Sequence, residues 1–199
     1  MDAASNLTGK MLIAMPSMSD PRFERAVILI CSHSDEGAMG LVVNRALEEV
    51  IFKDLLIQLG IDAGELTMDI PVRFGGPVEP GRGFVLHTVA AEEPQQDDGS
   101  MRIGEDLAMT TTRDILEDFA MGRGPQTAVL ALGYAGWGPG QLDDEIMANG
   151  WLTVDRDNEI IFGRERDTAA AREHDHKWQA ALAKLGVNPL TLSPSAGHA

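Results

Sequence analysis

Apolar positions in this chain fall mostly into short unbroken runs, with helical stripes between them. Lys10 to Met15 reads as a short strand, and Arg25 to Cys31 is a run rich in Val and Ile. Runs of about 4–8 apolar residues bounded by turn residues mark strands covered on both faces. Ser32-His33-Ser34-Asp35-Glu36-Gly37 is a turn by composition, and Met39 to Val43 follows, which predicts a hairpin ended by Asn44. Further strands are predicted at Gly83–Val89, Ala108–Thr110 and Gln126–Leu132. Trp151–Val154 and Glu159–Phe162 flank Asp155-Arg156-Asp157-Asn158, which reads as a second hairpin turn. Ser17 to Phe23, Gly64 to Pro71 and the polar stretch Glu92 to Ser100 read as loops. Gly75-Gly76-Pro77 after Val72-Arg73-Phe74 reads as a turn.

Four segments carry a helical period. Val50, Phe52, Leu55, Leu56 and Leu59 form one stripe, stopped by Gly60. Ile115, Leu116 and Phe119 form another, starting near Thr111 with Asp114 as a partial capping box and ending at Gly122. Gln141 to Ala148 is the third, closed by Asn149-Gly150. The longest runs from Asp167 to Leu185, with Ala171, His174, Trp178, Ala181, Leu182 and Leu185 on one face. Asp167 is its candidate N-cap and Gly186 its C′ residue. Beyond Asn188 the chain turns to Pro, Ser, Gly and Ala. The reading is one domain over 1–186, with the 167–185 helix a candidate appendage, and a disordered tail over 187–199.

Length and charge narrow the classes. With 199 residues, 44% hydrophobic, the chain can bury a proper core. No apolar run approaches the roughly 20 residues of a membrane span, and Met1-Asp2-Ala3-Ala4-Ser5-Asn6 lacks the basic start of a signal peptide. A cytoplasmic protein is therefore expected, and the single cysteine agrees with a reducing compartment. The net charge of -15 disfavours nucleic acid, whose phosphates are bound by clustered Lys and Arg.

The order of the motifs then carries a resemblance. Leu7-Thr8-Gly9-Lys10 through Met15-Pro16 comes first, followed by Asp20-Pro21-Arg22-Phe23, Cys31-Ser32-His33 and Gly37 through Asn44-Arg45. Gly75-Gly76-Pro77-Val78, Val85-Leu86-His87, Leu132 through Trp137, and Gly140-Gln141-Leu142 through Trp151-Leu152 complete the set. In this order they resemble the AlgH/YqgE family of bacterial proteins over about Leu7 to Phe162. The resemblance implies a mixed α/β (α+β) fold: a bifurcated β-sheet with a small barrel-like part, surrounded by helices. It implies a cytoplasmic bacterial protein, and it brings a transcriptional-regulator label without a chemistry.

The candidate sites are weak when taken singly. Gly133 to Ile146 places four glycines before a helix and could cradle an anion. Its spacing fits no phosphate loop, and Asp143, Asp144 and Glu145 would repel phosphate, so a tight strand-to-helix corner is the simpler reading. Cys31 and His33 would share a strand face, about 6.5 Å apart, if the strand runs through both. With His87 they are the candidate catalytic groups of a thiol-type enzyme, and Asp35 or His87 a guess at a third member. Asn44, Arg45, Gly76, Trp137 and Gln141 are candidate ligand-binding residues at strand ends and in the glycine-rich turn. His174 and His176, two apart, diverge on a helix, so no metal site is expected, and no cofactor. The favoured reading is a non-catalytic regulatory or binding protein acting through a protein partner or small ligand. The alternatives are a small enzyme using Cys31, His33, Arg45 and His87, and a direct DNA-binding regulator.

Overall fold

The continuous apolar strands have a simple cause: both faces of the sheet are covered. The computed structural model describes residues 6–90, 99–163, 170–188 and 192. The strands are β1 (Lys10–Ala14), β2 (Val27–Ser34), β3 (Gly37–Val42), β4 (Val72–Phe74), β5 (Val78–Thr88), β6 (Ser100–Ile103), β7 (Leu107–Thr110), β8 (Ala128–Trp137) and β9 (Trp151–Asp155). They hydrogen-bond in the order β6-β7-β5-β8-β3-β2-β1-β9, with β4 beside β8. All pairs are antiparallel except β4 with β8.

The sheet divides at β8. Leu130, Ala131 and Leu132 lie between β4 and β5, whereas Ala135, Gly136 and Trp137 pair with β3. This is the bifurcation, and the sheet curls around it into a half-barrel. Inside lie Met11, Leu29, Leu41, Phe84, Leu86 and Val129. Two helices contribute to this interior: α4 (Asn158–Phe162) through Ile160 and Ile161, and α5 (Ala170–Lys184) through Trp178, Ala181 and Leu182. The outer face of β4, β5 and β8 is covered by α1 (Phe52–Gln58) and α2 (Arg113–Ala120), whose Phe52 and Phe119 rings meet edge to face. The outer face of β1, β2 and β3 carries Ile28, Ile30 and Val42, with α3 (Gln141–Met147) and its Leu142 against them. Burying each such side chain contributes about 1.5–3 kcal/mol, so three clusters on two faces account for the apolar runs.

Several segments differ from the sequence reading. Glu159–Phe162 is helix, not strand, because the Asp157 carboxylate caps it, accepting from Glu159 N and Ile160 N. Ile160 and Ile161 both enter the same interior cluster, which consecutive strand residues, pointing to opposite faces, would not do. β8 continues five residues beyond Leu132 through the glycines, so the corner before α3 is only Gly138-Pro139-Gly140. Gly75-Gly76 is not a turn but an extended crossing. Val42 N donates to Gly75 O, and Gly75 N to Leu132 O. A Cβ on Gly76 would stand under 3.0 Å from the Tyr134 and Ala135 backbone, so only glycine lets the two chains touch. Finally, β6 is a strand that the polar sequence around Ser100 concealed. The predicted Glu92–Ser100 loop lies largely outside the described residues, as do Asp167 and most of the tail. Among the described residues, no helix is long and apolar enough to cross a membrane.

Candidate binding groove

The loop between β1 and β2 folds back over the outer face of the sheet. Asp20 organises it: its carboxylate accepts from Arg22 N and from the Arg22 guanidinium, with Arg22 Nη2 2.6 Å from Oδ2. Those hydrogen bonds hold the Asp20 carboxyl below the usual carboxylate range. The loop thereby sets Phe23 edge to face on Trp151 at 5.7 Å, and Trp151 meets Trp137 in the same manner at 6.1 Å. Between this aromatic row, α3 and the start of β5 lies a groove of about 420 Å³. Phe23, Val78, Trp137 and Trp151 give it apolar walls, Gly136 leaves one side open, and Asp20, Gln141 and Glu145 supply polar atoms.

Glu145 ties this site together. Its Oε2 accepts from Trp137 Nε1 at 2.9 Å and Trp151 Nε1 at 2.8 Å. Its Oε1 accepts from Gln141 Nε2 at 2.8 Å, and Gln141 Oε1 accepts from Gly138 N at 3.0 Å. A half-buried carboxylate with three neutral donors needs no cation, and each indole N–H finds the acceptor it requires when buried. The Gly138 N–H is thus used within the corner itself.

The structure brings two of the sequence-predicted ligand residues, Trp137 and Gln141, into this groove; Gly76 stands next to its wall at Pro77. The others lie elsewhere. Arg45 stacks on Phe74 at 5.4 Å and donates to the Arg22 carbonyl, with longer contacts to those of Pro21 and Glu24, so it anchors the groove-forming loop from behind. Asn44 is fully buried. Its Oδ1 accepts from Val27 N, while Nδ2 donates to the carbonyls of Arg25 and His174. His87 is buried in β5, its Nε2 2.9 Å from Thr110 Oγ1 and its Nδ1 3.2 Å from Thr88 O.

Cys31 and His33 do not share a face. A β-bulge between Ile30 and Ser32 makes Cys31 the extra residue, because Ile30 pairs with Gly40 while Ser32 pairs with Met39. Cys31 therefore points into the half-barrel with Leu29, while His33 pairs with Ala38 of the outer cluster. His33 Nδ1 accepts from Leu7 N, and its Nε2 lies 3.7 Å from Asp143 Oδ2. Burial pushes the Cys31 thiol up to about 12, the reverse of an activated nucleophile. Among the described residues, no three His, Cys, Asp or Glu side chains form a cluster able to hold a metal ion.

Sequence reasoning missed Phe23, Glu145 and Trp151. The i,i+4 pair Gln141 and Glu145 between two tryptophans was the available signal, since such a pair shares a helix face.

A half-barrel of mixed α and β structure, with five helices among its described residues and an aromatic groove on its outer face, defines a class of small α+β proteins. The chain belongs to the AlgH-like family, whose model matches residues 11–190. It is 69% identical over 199 residues to a UPF0301 protein of Paracoccus denitrificans, covering 100% of both chains. It is 49% identical over 193 residues to one of Rhodospirillum rubrum, covering 97% of this chain and 94% of that one. The solution structure of AlgH from Pseudomonas aeruginosa superposes with a TM-score of 0.73 at 39% identity, covering 100% of this chain and 99% of that one. The crystal structure of DIP2367 from Corynebacterium diphtheriae, at 20% identity, covering 97% and 94%, gives a TM-score of 0.72 and shares the fold.

Proposed function

We propose that this AlgH-like protein is a binding protein that works through the Phe23–Trp137–Trp151 groove, with any regulatory effect passing through what it binds. The observation that carries this reading is the groove itself: an aromatic-walled cleft of about 420 Å³ with a few fixed polar groups. That is the usual make-up of a small-molecule site. Its charged groups are Asp20, Arg22 and Glu145, an excess of one negative charge. The fitting ligand has an apolar or aromatic body and a hydrogen-bond-donating or cationic head, either as a free molecule or as a side chain of a partner. A catalytic reading has less support, because the Cys31 thiol and His33 stand on opposite faces of β2. DNA is disfavoured by the charge of -15.

The three indole N–H resonances provide the test. Trp137 and Trp151 line the groove, whereas Trp178 is in the core and donates to Ala14 O. Titration with benzamidine, phenol and indole is expected to shift the Trp137 and Trp151 indole signals and leave that of Trp178. Equal movement of all three, or none at millimolar probe, would remove the proposal.

A further inference from the structure

Arg73 occupies an unusual position for a guanidinium. It is the middle residue of β4, inside an apolar segment, and it is 1% exposed. Its strand partner Ala131 belongs to the interior core, so the side chain points into the half-barrel. Glu173 and Lys177, one turn apart on α5, meet it there, each 6% exposed. A single oxygen, Glu173 Oε1, lies 2.9 Å from Arg73 Nη2 and 3.3 Å from Lys177 Nζ. The carbonyl of Gly163 gives Arg73 Nη2 a second, longer contact at 3.5 Å.

The cluster has more donors than acceptors. Among the described residues, nothing accepts a hydrogen bond from Arg73 Nε or Nη1, and Lys177 Nζ has only the long contact to the oxygen it shares with Arg73; all three nitrogens are buried. Native proteins rarely leave such groups unpaired, because each has given up its hydration with nothing in exchange. The charge is equally unbalanced. Among the described residues, two cations share one buried carboxylate, an excess of one positive charge. Glu159 of α4 attracts Lys177, but from an exposed position without a hydrogen bond to it.

We propose that Arg73 and Lys177 together hold one halide-sized monovalent anion inside the half-barrel, beneath α5. Water alone would satisfy the hydrogen bonds and leave the charge. A monovalent anion satisfies both, whereas a doubly charged phosphate would reverse the imbalance. The competing way to lose the charge is for Lys177 to release its proton. Desolvation, with Arg73 as a second cause, pulls its pKa down to about 8, so at neutral pH the ammonium still predominates. The groups facing it are Arg73 on β4, Glu173 on its own helix and Glu159 on α4. An anion there links β4 to α5, so its occupancy tightens the helix onto the barrel.

The test uses the full chain. Crystals soaked in sodium bromide are expected to show an anomalous peak within about 3.5 Å of Arg73 and Lys177 nitrogens. In solution, bromide added at constant ionic strength against a bulky sulfonate salt should raise Tm saturably. The apparent Kd should weaken at least tenfold in Lys177→Met, hold within threefold in Lys177→Arg, and weaken at least threefold from pH 7 to pH 9. A site refined as water without anomalous signal would overturn the proposal. So would a Tm response that is the same in Lys177→Met, or phosphate binding in preference to bromide. The crystal measurement needs no variant, so poor folding of a mutant leaves the proposal open to refutation.

Discussion

Glu145, half-buried, and Glu173, buried, are two carboxylates on opposite faces of one sheet, and they are satisfied in different ways. Glu145, between α3 and the tryptophans, is held by neutral donors: two indoles and one amide. Glu173, beneath α5, is held by two cations, which bring more N–H groups than the site can use. The difference shows what neutral donors achieve that ion pairs do not. An indole has one hydrogen to place, and once placed the site is complete. A guanidinium has five, and burying it to meet one carboxylate leaves the others to be met by something else.

The largest effect that can test this contrast is removal of Glu173. Glu173→Ala strands Arg73 and Lys177 in the interior and should cost about 3–5 kcal/mol, read by urea denaturation at pH 7. Glu145→Ala leaves two buried indole N–H groups without an acceptor. It should cost less, about 1–3 kcal/mol, and should shift the Trp137 and Trp151 indole signals even without ligand. If the two losses are equal, the distinction between the sites fails. Lys177→Met is expected to be neutral or stabilising by about 1 kcal/mol in halide-free buffer, because the Arg73–Glu173 pair then balances.

The same residue gives a pH test. The folded-state pKa of Lys177 is pulled from 10.5 to about 8, so between those values the unfolded chain binds more protons. The penalty is fully present below about pH 8 and is relieved as pH rises towards 10.5. Wild type should therefore gain stability relative to Lys177→Met over that window, and saturating bromide should reduce the gain. The smallest expected effect concerns the two faces of β2. Cys31 is 1% exposed, with its thiol pushed up to about 12. Iodoacetamide at pH 7.5 should modify it no faster than the protein unfolds, with or without His33→Ala. Rapid labelling that depends on His33 would restore the thiol-enzyme reading.

Strand positions and the family were legible because they rest on runs of apolar residues and on motif order. Val27–Ile30 could be read as a buried strand from its side chains alone. The phase of β2 beyond Ile30 could not, since a bulge is a property of pairing with β3, and one extra residue moves His33 to the other face. Asp157 caps α4, but a polar stretch between two apolar runs has the same composition as a hairpin turn, which is how it read. The groove was half visible: the glycine-rich corner with Trp137 and Gln141 drew attention. Phe23 and Trp151, more than a hundred residues apart in sequence, meet only through the sheet order β2-β1-β9. Arg73 carried no signal in the sequence, because nothing in Val72-Arg73-Phe74 reveals that α5 covers that face.

Because β8 belongs to both arms of the divided sheet, neither arm can close without it. The outer groove and the interior anion cluster are each built partly on this strand, through Trp137 and through its parallel partner β4. Folding should accordingly be all-or-none, limited by the search for contacts distant in sequence. The amides of Val129 to Ala135 should be the last to exchange with deuterium, opening only when the whole molecule does.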